Sequence, residues 1–398
     1  MLLIAAPGQG AQAPGFLSPW LELPGFADRI GAWSQLAGCD LIRYGTTAGA
    51  DEIKDTAIAQ PLLLAAALAA AEVLSGGLGQ ASKLAGAAAG HSVGELAAGV
   101  VAGTISAEDA IALVRVRGQA MALAAAAEPT GMTAVLGGSE AAVLAAIEAA
   151  GLTAANVNCA GQIVAAGTLA QLAAFAADPP AGARLRPLSV AGAFHTSHMA
   201  SAVDALRDAA AGVQVFDPAL ALLSNRDGRV VTSGADWLQR IITQVSTPVR
   251  WDLCMQTMTS LGTTALIELP PAGTLTGLAR RALPGIHLVS LKTPADLDSA
   301  RALISEHADS HADSHAPDWR LLVAPLAGTF RACRGPAAPA GPGASVGSGT
   351  ELGHVEMRGG SHPVELSFPA TIIEWLVEDG DPVSAGQPLV RLQPDGNQ

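Results

Sequence analysis

The pentapeptide Gly90-His91-Ser92-Val93-Gly94 places a serine between two glycines at a spacing that can do chemistry. Its Gly-x-Ser-x-Gly pattern is typical of a sharp turn between a strand and a helix, which lifts the serine hydroxyl clear of the backbone. The preceding KLAGAAAG predicts a strand, and the following ELAAGVVAG predicts a helix, whose N-terminal amide dipoles favour developing negative charge. Ser92 is therefore a candidate nucleophile, although the motif alone leaves open that Ser92 only caps the helix.

A serine nucleophile needs a base, and the leading candidate is His195 in the segment VAGAFHTSHM. His91 adjoins Ser92 in sequence and is expected to point away from it. His198 would lie one turn beyond His195 if a helix begins there. A single histidine is more often a structural residue than a base, so the assignment needs support from the rest of the chain.

An ordered series of short motifs runs through residues 1–300, and together they resemble the malonyl-CoA:acyl carrier protein transacylases. These acyltransferases supply malonyl groups to fatty acid and polyketide synthesis. The motifs are APGQGAQ (6–12), AQPLL (59–63), GHSVGE (90–95), RVRGQAM (115–121), GMTAVLG (131–137), NVNCAGQIVAAG (156–167), GAFHTSHM (192–199), PVRW (248–251) and PPAGTLTGLARRAL (270–283). In one departure, Leu269-Pro270-Pro271-Ala272-Gly273 replaces the family's Gly-Pro-Gly turn.

The resemblance implies a covalent, ping-pong mechanism. Ser92 would attack the thioester carbonyl to form a malonyl-serine intermediate, and His195 would accept the serine proton. The backbone N–H groups of Gln9 and Val93 would form the oxyanion hole. Family members lack a triad aspartate, and a main-chain carbonyl at the position of Gln244 would orient the histidine instead.

The resemblance also implies that a second set of residues recognises the substrate. Arg117 would bind the free malonyl carboxylate, for which a bidentate guanidinium is well suited; from sequence alone it could equally be a surface charge on a helix. Asn156 and Asn158 match polar residues near the family's site and have supporting roles. Phe194 would exclude an α-methyl branch. An esterase with the same serine motif would need an acidic residue to complete its triad. It would have no reason to place an arginine beside the acyl pocket.

The elements that must position these residues follow an α/β rhythm over residues 1–304. A buried strand is predicted at 2–7, and helices are predicted at 59–74, with Pro61 near the first turn, and at 107–126. The resemblance implies a hydrolase-like acyltransferase core. A small ferredoxin-like α+β insertion is expected at about 131–190.

The segment 305–317, SEHADSHADSHAP, spaces His307, His311 and His315 by four residues. On a helix these side chains would share one face and could bind a metal. A solvated low-complexity linker is the preferred interpretation, since no other ligand cluster supports a metal site. The sequence thus predicts no metal, and the resemblance implies no cofactor.

The C-terminal segment, residues 318–398 (hereafter the tail), resembles the all-β barrel-sandwich (hammerhead) module of biotinyl and lipoyl carrier domains. Such modules carry the cofactor on a lysine at a tight turn. Here that turn reads Glu356-Met357-Arg358-Gly359, and no lysine follows Lys292. The tail is therefore expected to be unable to carry biotin or lipoate, and to be either a protein-binding module or a degenerate remnant.

The charge and composition of the chain indicate which classes of binding partner are compatible with it. Lys and Arg total 22 against 35 Asp and Glu, a formal charge of −13, which argues against nucleic acid. No membrane span is expected, and four scattered cysteines predict free thiols in the cytoplasm. Acyl carrier protein is itself acidic, so Arg280 and Arg281 are candidates for its docking patch.

The predicted function is transfer of malonyl from malonyl-CoA to acyl carrier protein for fatty acid or polyketide synthesis. Two alternatives stay open. One is a non-catalytic assembly protein of an acyl-CoA carboxylase or synthase complex. The other is an acyltransferase for a different acyl-CoA.

Overall fold

The computed structural model describes residues 1–190, 192–313, 320–333, 341–357 and 359–394. The chain divides into two compact units, Met1–Ala308 and Asp309–Gln398, and each is described by itself.

The first unit is built from strands and helices in alternation. Its strands are β1 (Leu2–Ala6), β2 (Ala87–Gly90), β3 (Thr130–Gly137), β4 (Thr153–Cys159), β5 (Gln162–Thr168), β6 (Ala183–Pro187), β7 (Ala221–Leu223), β8 (Val230–Val231), β9 (Val249–Arg250), β10 (Ala265–Glu268) and β11 (His287–Ser290). Its helices are α1 (Phe26–Ala37), α2 (Leu41–Thr46), α3 (Thr56–Ser75), α4 (Gly94–Val101), α5 (Ala107–Ala127), α6 (Glu140–Ala149), α7 (Leu169–Ala177), α8 (Ala200–Ala210), α9 (Gly234–Gln244), α10 (Trp251–Ser260), α11 (Thr274–Ala282) and α12 (Leu297–Asp313), the last of which continues into the second unit.

A six-stranded sheet in the order β11-β10-β1-β2-β7-β8 forms the centre of this unit. All neighbours are parallel except β7 and β8. Every residue of β1, β2 and β10 is buried, as expected for a parallel sheet covered on both faces. The carboxyl ends of β1, β2 and β7 lie side by side, so the residues that follow them meet at one edge of the sheet.

The helices predicted at 59–74 and 107–126 correspond to α3 and α5. Helix α5 begins where predicted, because the Ser106 hydroxyl caps it by accepting the backbone N–H of Asp109. Helix α3 begins earlier than predicted, after its N-cap Asp55, so Pro61 lies inside the helix and not in its first turn. These helices pack against each other.

The segment predicted as an insertion forms a second sheet, in the order β6-β3-β5-β4-β9. From Thr130 to Pro187 the chain runs strand, helix, strand, strand, helix, strand, with antiparallel neighbours, which is the arrangement of a ferredoxin-like fold. Strand β9 adds to it in parallel through β4. A separate apolar cluster that includes Val135, Ile163 and Phe175 fills this subdomain.

Among the described residues, two helices reach the length and hydropathy of a membrane span, Thr56–Ser75 and Ala107–Ala127. Their most apolar windows are 78% and 50% buried inside the structure, respectively. Core helices of globular domains pass the same test, so the two helices are weak support for a membrane association.

The segment predicted as a linker, 305–317, is helical as far as the structure describes it, since α12 continues to Asp313. The Ala, Glu and His residues of the repeat tolerate a helix, and no glycine or proline interrupts it before Pro317. The His307 ring contacts the Thr264 hydroxyl at 3.0 Å and the Leu303 carbonyl at 2.9 Å. The side chains of His311 and His315 lie outside the described residues, so the metal alternative remains untested.

The described residues of the second unit form two four-stranded sheets. The strands are β12 (Arg320–Val323), β13 (Gly328–Ala332), β14 (Ser345–Val346), β15 (Glu351–Met357), β16 (Gly360–Glu365), β17 (Ala370–Trp375), β18 (Pro382–Val383) and β19 (Pro388–Pro394). One sheet has the order β12-β19-β17-β14 and the other β16-β15-β13-β18, with antiparallel neighbours. Leu322 and Trp375 contact both of the apolar clusters in this unit. The described residues of the tail therefore form a small all-β unit.

Candidate active site

The turn that carries Ser92 (residues 90–94, hereafter the nucleophile turn) connects β2 to α4. Ser92 has a φ of 53°, in the left-handed region that residues with a Cβ rarely adopt. A Cβ on Gly90 would overlap the backbone of Gly94, and a Cβ on Gly94 would overlap the carbonyl oxygen of Ala6. Both glycines are thus required by the close approach of α4 to the ends of β1 and β2.

Ser92 and His195 meet in a direct contact. Ser92 Oγ lies 2.8 Å from His195 Nε2, although the two residues are 103 positions apart. His195 Nδ1 lies 2.8 Å from the main-chain oxygen of Gln244, at the end of α9. The arrangement is therefore serine, histidine and backbone carbonyl, and it fixes the imidazole with Nδ1 protonated and Nε2 facing the serine.

Arg117 lies in the interior, with 1% of its surface exposed. One Nη donates to Gln60 Oε1 at 2.7 Å. The other donates to Gln244 Oε1 at 2.6 Å and to Ser92 Oγ at 3.3 Å. The alternative of a surface charge is wrong, and the guanidinium lies beside the serine hydroxyl.

Two buried residues that the sequence analysis did not single out complete this centre, Glu95 and Asn225. Asn225 Oδ1 accepts the backbone N–H of Ser92 at 2.7 Å, and the Glu95 carboxylate accepts from the backbone N–H of Asn225 and from the Gln244 side-chain amide. Gln60 was missed as well. Glu95 and Gln60 lie in quoted motifs, GHSVGE and AQPLL, whereas Asn225 follows β7 without any motif signal.

Burial governs the protonation states of the centre. Burial, and then the positive charge of Arg117, lowers the pKa of His195 to about 3, so its imidazole is neutral near pH 7. Burial lowers the pKa of Arg117 to about 10, which keeps the guanidinium charged. Burial raises the pKa of Glu95 to about 7, against the hydrogen bonds from Asn225 and Gln244 and the charge of Arg117.

The two predicted oxyanion donors lie on adjacent turns. A Cβ on Gly8 would meet the main-chain oxygen of His91 at 2.7 Å, so the turn after β1 touches the nucleophile turn. Among the hydrogen bonds of the described residues, the backbone N–H groups of Gln9 and Val93 have no acceptor. The Gln9 side chain donates to Thr56 Oγ1 at 3.2 Å, which anchors its loop to the start of α3.

The remaining predicted residues occupy the surroundings of this centre. The His91 Nε2 lies 2.9 Å from Asn158 Oδ1, and the described hydrogen bonds of the Ser92 hydroxyl do not include His91. Asn156 Oδ1 is buried without a hydrogen-bond partner in the described structure. Phe194 is 5% exposed and belongs to the main apolar cluster.

The other base candidate, His198, does not contact the serine. Its Nδ1 lies 2.9 Å from a carboxylate oxygen of Glu128. Within the described parts of the chain, no group of three or more His, Cys, Asp or Glu side chains could hold a metal. All four cysteines are free.

The comparison with known proteins decides the family. Residues 6–299 match the model of the acyl transferase domain. The chain is 54% identical over 301 residues to the malonyl CoA-acyl carrier protein transacylase of Mycobacterium tuberculosis, covering 75% of this chain and 98% of that protein. The chain belongs to the malonyl-CoA:acyl carrier protein transacylase family.

Solved structures of transacylases agree with this. The crystal structure of MCAT from Mycobacterium tuberculosis is 53% identical, with a TM-score of 0.73, covering 76% of this chain and 99% of that one. A malonyl transacylase in complex with its type II polyketide synthase acyl carrier protein is 27% identical, with a TM-score of 0.69 and 76% coverage of this chain. The acyl transferase match ends before the tail, so these relatives describe the acyltransferase domain alone.

Proposed function

We propose that the acyltransferase domain transfers malonyl from malonyl-CoA to the phosphopantetheine thiol of acyl carrier protein through a malonyl-Ser92 intermediate. The observation that carries this mechanism is the contact of Ser92 with a neutral His195 beside a buried Arg117. Family membership supports the substrates, and the geometry supports the roles of the residues. The transfer supplies fatty acid or polyketide synthesis.

The reaction has two half-reactions that share one base. His195 Nε2 takes the proton from Ser92 Oγ as the oxygen attacks the thioester carbonyl, and it returns that proton to the departing CoA thiolate. In the second half-reaction Nε2 takes the proton of the phosphopantetheine thiol, whose sulfur attacks the malonyl ester. The proton then returns to Ser92 Oγ, and the serine is regenerated.

Two negative charges, the oxyanion of the tetrahedral intermediate and the malonyl carboxylate, would be bound by different hydrogen-bond donors. The N–H groups of Gln9 and Val93, which lack acceptors, would bind the oxyanion of each tetrahedral intermediate. Losing one such donor costs about 3–4 kcal/mol of transition-state stabilisation. Arg117 would bind the malonyl carboxylate. Its buried Nε–H has no partner in the described structure and would be available to donate a hydrogen bond to an acyl group on Ser92.

The shape of the acyl pocket would set selectivity. Phe194 precedes His195, and its buried ring supports the proposal that it excludes an α-methyl branch. A methylene-sized difference is worth about 1–3 kcal/mol, so some methylmalonyl transfer is expected. Asn156 and Asn158 would have supporting roles, the latter through its contact with the His91 ring.

A cavity of about 690 Å³ lies next to the residues that hold the Gln9 side chain, and it is proposed to accept the pantetheine arm of both substrates. Lys54 and Thr56, whose main chain and hydroxyl respectively hold the Gln9 side chain, line it. Arg280 and Arg281 are exposed on α11 and are proposed to dock the acidic acyl carrier protein. The Arg281 guanidinium donates to Gln162 at 2.7 Å, which ties it to the ferredoxin-like subdomain.

For the tail we propose a hammerhead module without cofactor. Its two antiparallel sheets and two apolar clusters are compatible with that fold. Incubation with a biotin or lipoate ligase is expected to leave the chain unmodified, because a carrier lysine is absent. Arg358 lies outside the described residues, and Arg358→Lys, which introduces a lysine at the position that matches the carrier lysine, tests the proposed fold: modification of that lysine would support the fold, and no modification would count against it. Without a cofactor, the tail would be either a protein-binding module or a degenerate remnant.

Intact-mass analysis after incubation with malonyl-CoA tests the transfer mechanism most directly. A mass gain of one malonyl group is expected in the wild type and no gain in Ser92→Ala. A labelled adduct that persists in Ser92→Ala would overturn the role of the serine. A non-catalytic assembly protein would show no adduct in either, and a different acyl preference would point to another acyl-CoA.

A further inference from the structure

Asn225 reaches both sides of the nucleophile turn with one side-chain amide. Its Oδ1 accepts the Ser92 N–H at 2.7 Å, and its Nδ2 donates to the Gly90 carbonyl at 2.7 Å. The residue follows β7, the neighbour of β2, and none of its surface is exposed. Removing the amide would therefore leave the Ser92 N–H and the Gly90 carbonyl without their side-chain partner in a buried position. The two hydrogen bonds hold Ser92 in its left-handed conformation, which a residue with a Cβ would otherwise avoid.

Glu95 connects the backbone of Asn225 to the rest of the centre. One carboxylate oxygen accepts the backbone N–H of Asn225 at 2.7 Å, and the other accepts from Gln244 Nε2. The Gln244 amide oxygen consequently faces Arg117, at 2.6 Å from its Nη. Turning the amide over would set its NH₂ group against the guanidinium, donor against donor. A carboxylate at position 95 therefore fixes which way Gln244 points.

Gln244 extends the connection to His195 as well. Its main-chain oxygen lies 2.8 Å from His195 Nδ1, while its side chain bonds Arg117 and the Ser92 carbonyl, the latter at 3.1 Å. One buried polar network, consisting of Asn225, Glu95 and Gln244, thus touches the serine, the base and the arginine. In such a network, each member is held by the others.

We propose that Asn225 and Glu95 are positioning residues for the transfer reaction. Asn225 sets the backbone of Ser92, and Glu95 sets Gln244, which orients Arg117 and His195. The part that concerns Arg117 rests on the proposed malonyl transfer. The part that concerns Ser92 requires only that the serine is a nucleophile.

The test compares Asn225→Ala and Glu95→Gln with Glu268→Gln as a matched control. Glu268 is a fully buried carboxylate in the same central sheet, and it accepts the backbone N–H groups of Gly273, Leu275 and Thr276 at the start of α11. Its partners lie outside the network. The control therefore reports what losing a buried carboxylate does to folding without disturbing the nucleophile turn.

The first readout is the rate at which a serine-directed fluorophosphonate labels Ser92, normalised to the folded fraction from circular dichroism. This reagent needs the nucleophile and its base but no malonyl recognition. Asn225→Ala and Glu95→Gln should label at least tenfold more slowly than wild type, and Glu268→Gln within about twofold. Labelling of both network variants at the wild-type rate would overturn the proposal.

The second readout is the ratio of kcat/KM for malonyl-CoA to that for acetyl-CoA, which a merely structural role would not move. Glu95→Gln should lower the ratio at least fivefold, because it releases Gln244 and hence Arg117. Asn225→Ala should slow both acyl groups and leave the ratio unchanged. An unchanged ratio in Glu95→Gln would refute the positioning of Arg117 by Glu95.

Two further variants keep the test decisive if Asn225→Ala does not fold. Asn225→Asp retains the acceptor toward Ser92 and loses the donor toward Gly90. Its labelling rate should therefore lie between those of wild type and Asn225→Ala. If Asn225→Ala is unfolded, the labelling rate of Asn225→Asp should still be lower than that of wild type. Combining Glu95→Gln with Asn225→Asp should cost less than the product of the single losses, since both act on one network. A wild type that labels but transfers no malonyl would refute the proposed function, while the labelling rates still judge the network.

Discussion

At the scale of single residues, the centre depends on one cation and one neutral base in direct proximity. Arg117 is buried and lies 3.3 Å from Ser92 Oγ, and its charge contributes to the low pKa of His195. A base that stays neutral beside a guanidinium can accept the serine proton at physiological pH. The same guanidinium is poised for an acyl group that ends in a carboxylate. One residue therefore affects both the chemistry and the substrate choice.

Replacing the arginine should separate these two effects. Arg117→Ala should lower kcat/KM for malonyl-CoA by about 100-fold, because charge-assisted hydrogen bonds to a carboxylate contribute about 1.5–3 kcal/mol each. Acetyl-CoA lacks the carboxylate and should lose less than about tenfold. Arg115→Ala, two residues earlier on α5 and exposed, is the control and should keep both rates. Equal losses for malonyl and acetyl would contradict the carboxylate clamp.

The pH dependence of transfer should come from Glu95 and not from His195. With a pKa of about 3, His195 stays deprotonated throughout the range from pH 5 to 8. Glu95, whose pKa is about 7 and which faces Arg117, Arg240 and the Cys254 thiol, gains a proton as the pH falls below 7. The proton would occupy an oxygen that accepts a hydrogen bond, so kcat/KM should fall on the acid side.

A pH–rate profile of wild type and Glu95→Gln checks this assignment. The acid limb near pH 7 should vanish in the variant, which should be slow at every pH. If a limb near pH 6.5 persists in Glu95→Gln, His195 titrates close to its ordinary value and the low pKa is wrong.

At the scale of secondary-structure elements, neighbouring parallel strands bring the active-site residues that follow them to one edge of the sheet. Gln9 follows β1, Ser92 follows β2 and Asn225 follows β7, and these strands are neighbours. Helices α5 and α9 then bring Arg117 and Gln244 to the same place. The close contact of α4 with the end of β1 requires glycine at position 94, because any Cβ there meets the Ala6 carbonyl.

Gly94→Ala should therefore weaken both the fold and the active centre. Overpacking against backbone that cannot move aside costs about 1–3 kcal/mol, and fluorophosphonate labelling of Ser92 should slow with it. Gly31→Ala is the matched control, since Gly31 lies in α1 with no atoms within 4 Å of a Cβ. That control should gain about 0.5–1 kcal/mol in the free energy of unfolding. Unfolding in urea measures both, and equal stability of the two variants would contradict the close approach.

At the scale of the whole molecule, the transfer reaction and the tail belong to separate units. The acyl transferase match covers residues 6–299, and the transacylase of Mycobacterium tuberculosis is covered over 98% of its length by 301 residues of this chain. The tail adds a β unit with its own apolar clusters. The described contacts of the active centre all lie within the first unit.

Removing residues 314–398 should leave malonyl transfer within about twofold of the full chain. Turnover, the oligomeric state by light scattering and the proteins recovered in pull-downs would be compared between the two. A changed partner set with unchanged turnover would favour a binding module, and no change in any of the three would favour a remnant. A loss of turnover beyond tenfold would show that the tail contributes to the acyltransferase domain.

The sequence by itself determined the family, the α/β rhythm and the identity of the central residues, because the transacylase motifs lie in short segments that can be read locally. Glycines at positions 90 and 94 already indicate a strained turn around Ser92. Gln60 and Glu95 were within reach, since both lie in quoted motifs, but nothing local shows that their side chains face the centre.

Only the tertiary structure decided how these residues are connected. Asn225 has no motif signal, and its part in the centre depends on β7 lying next to β2, a pairing of distant segments. The buried position of Arg117, which composition could not separate from a surface charge, depends on the packing of α5 against α3. The low pKa of His195 likewise depends on burial and on a charge 78 positions away in the chain. Long-range packing sets these properties, because desolvation and electrostatic fields depend on neighbours in space and not on neighbours in sequence.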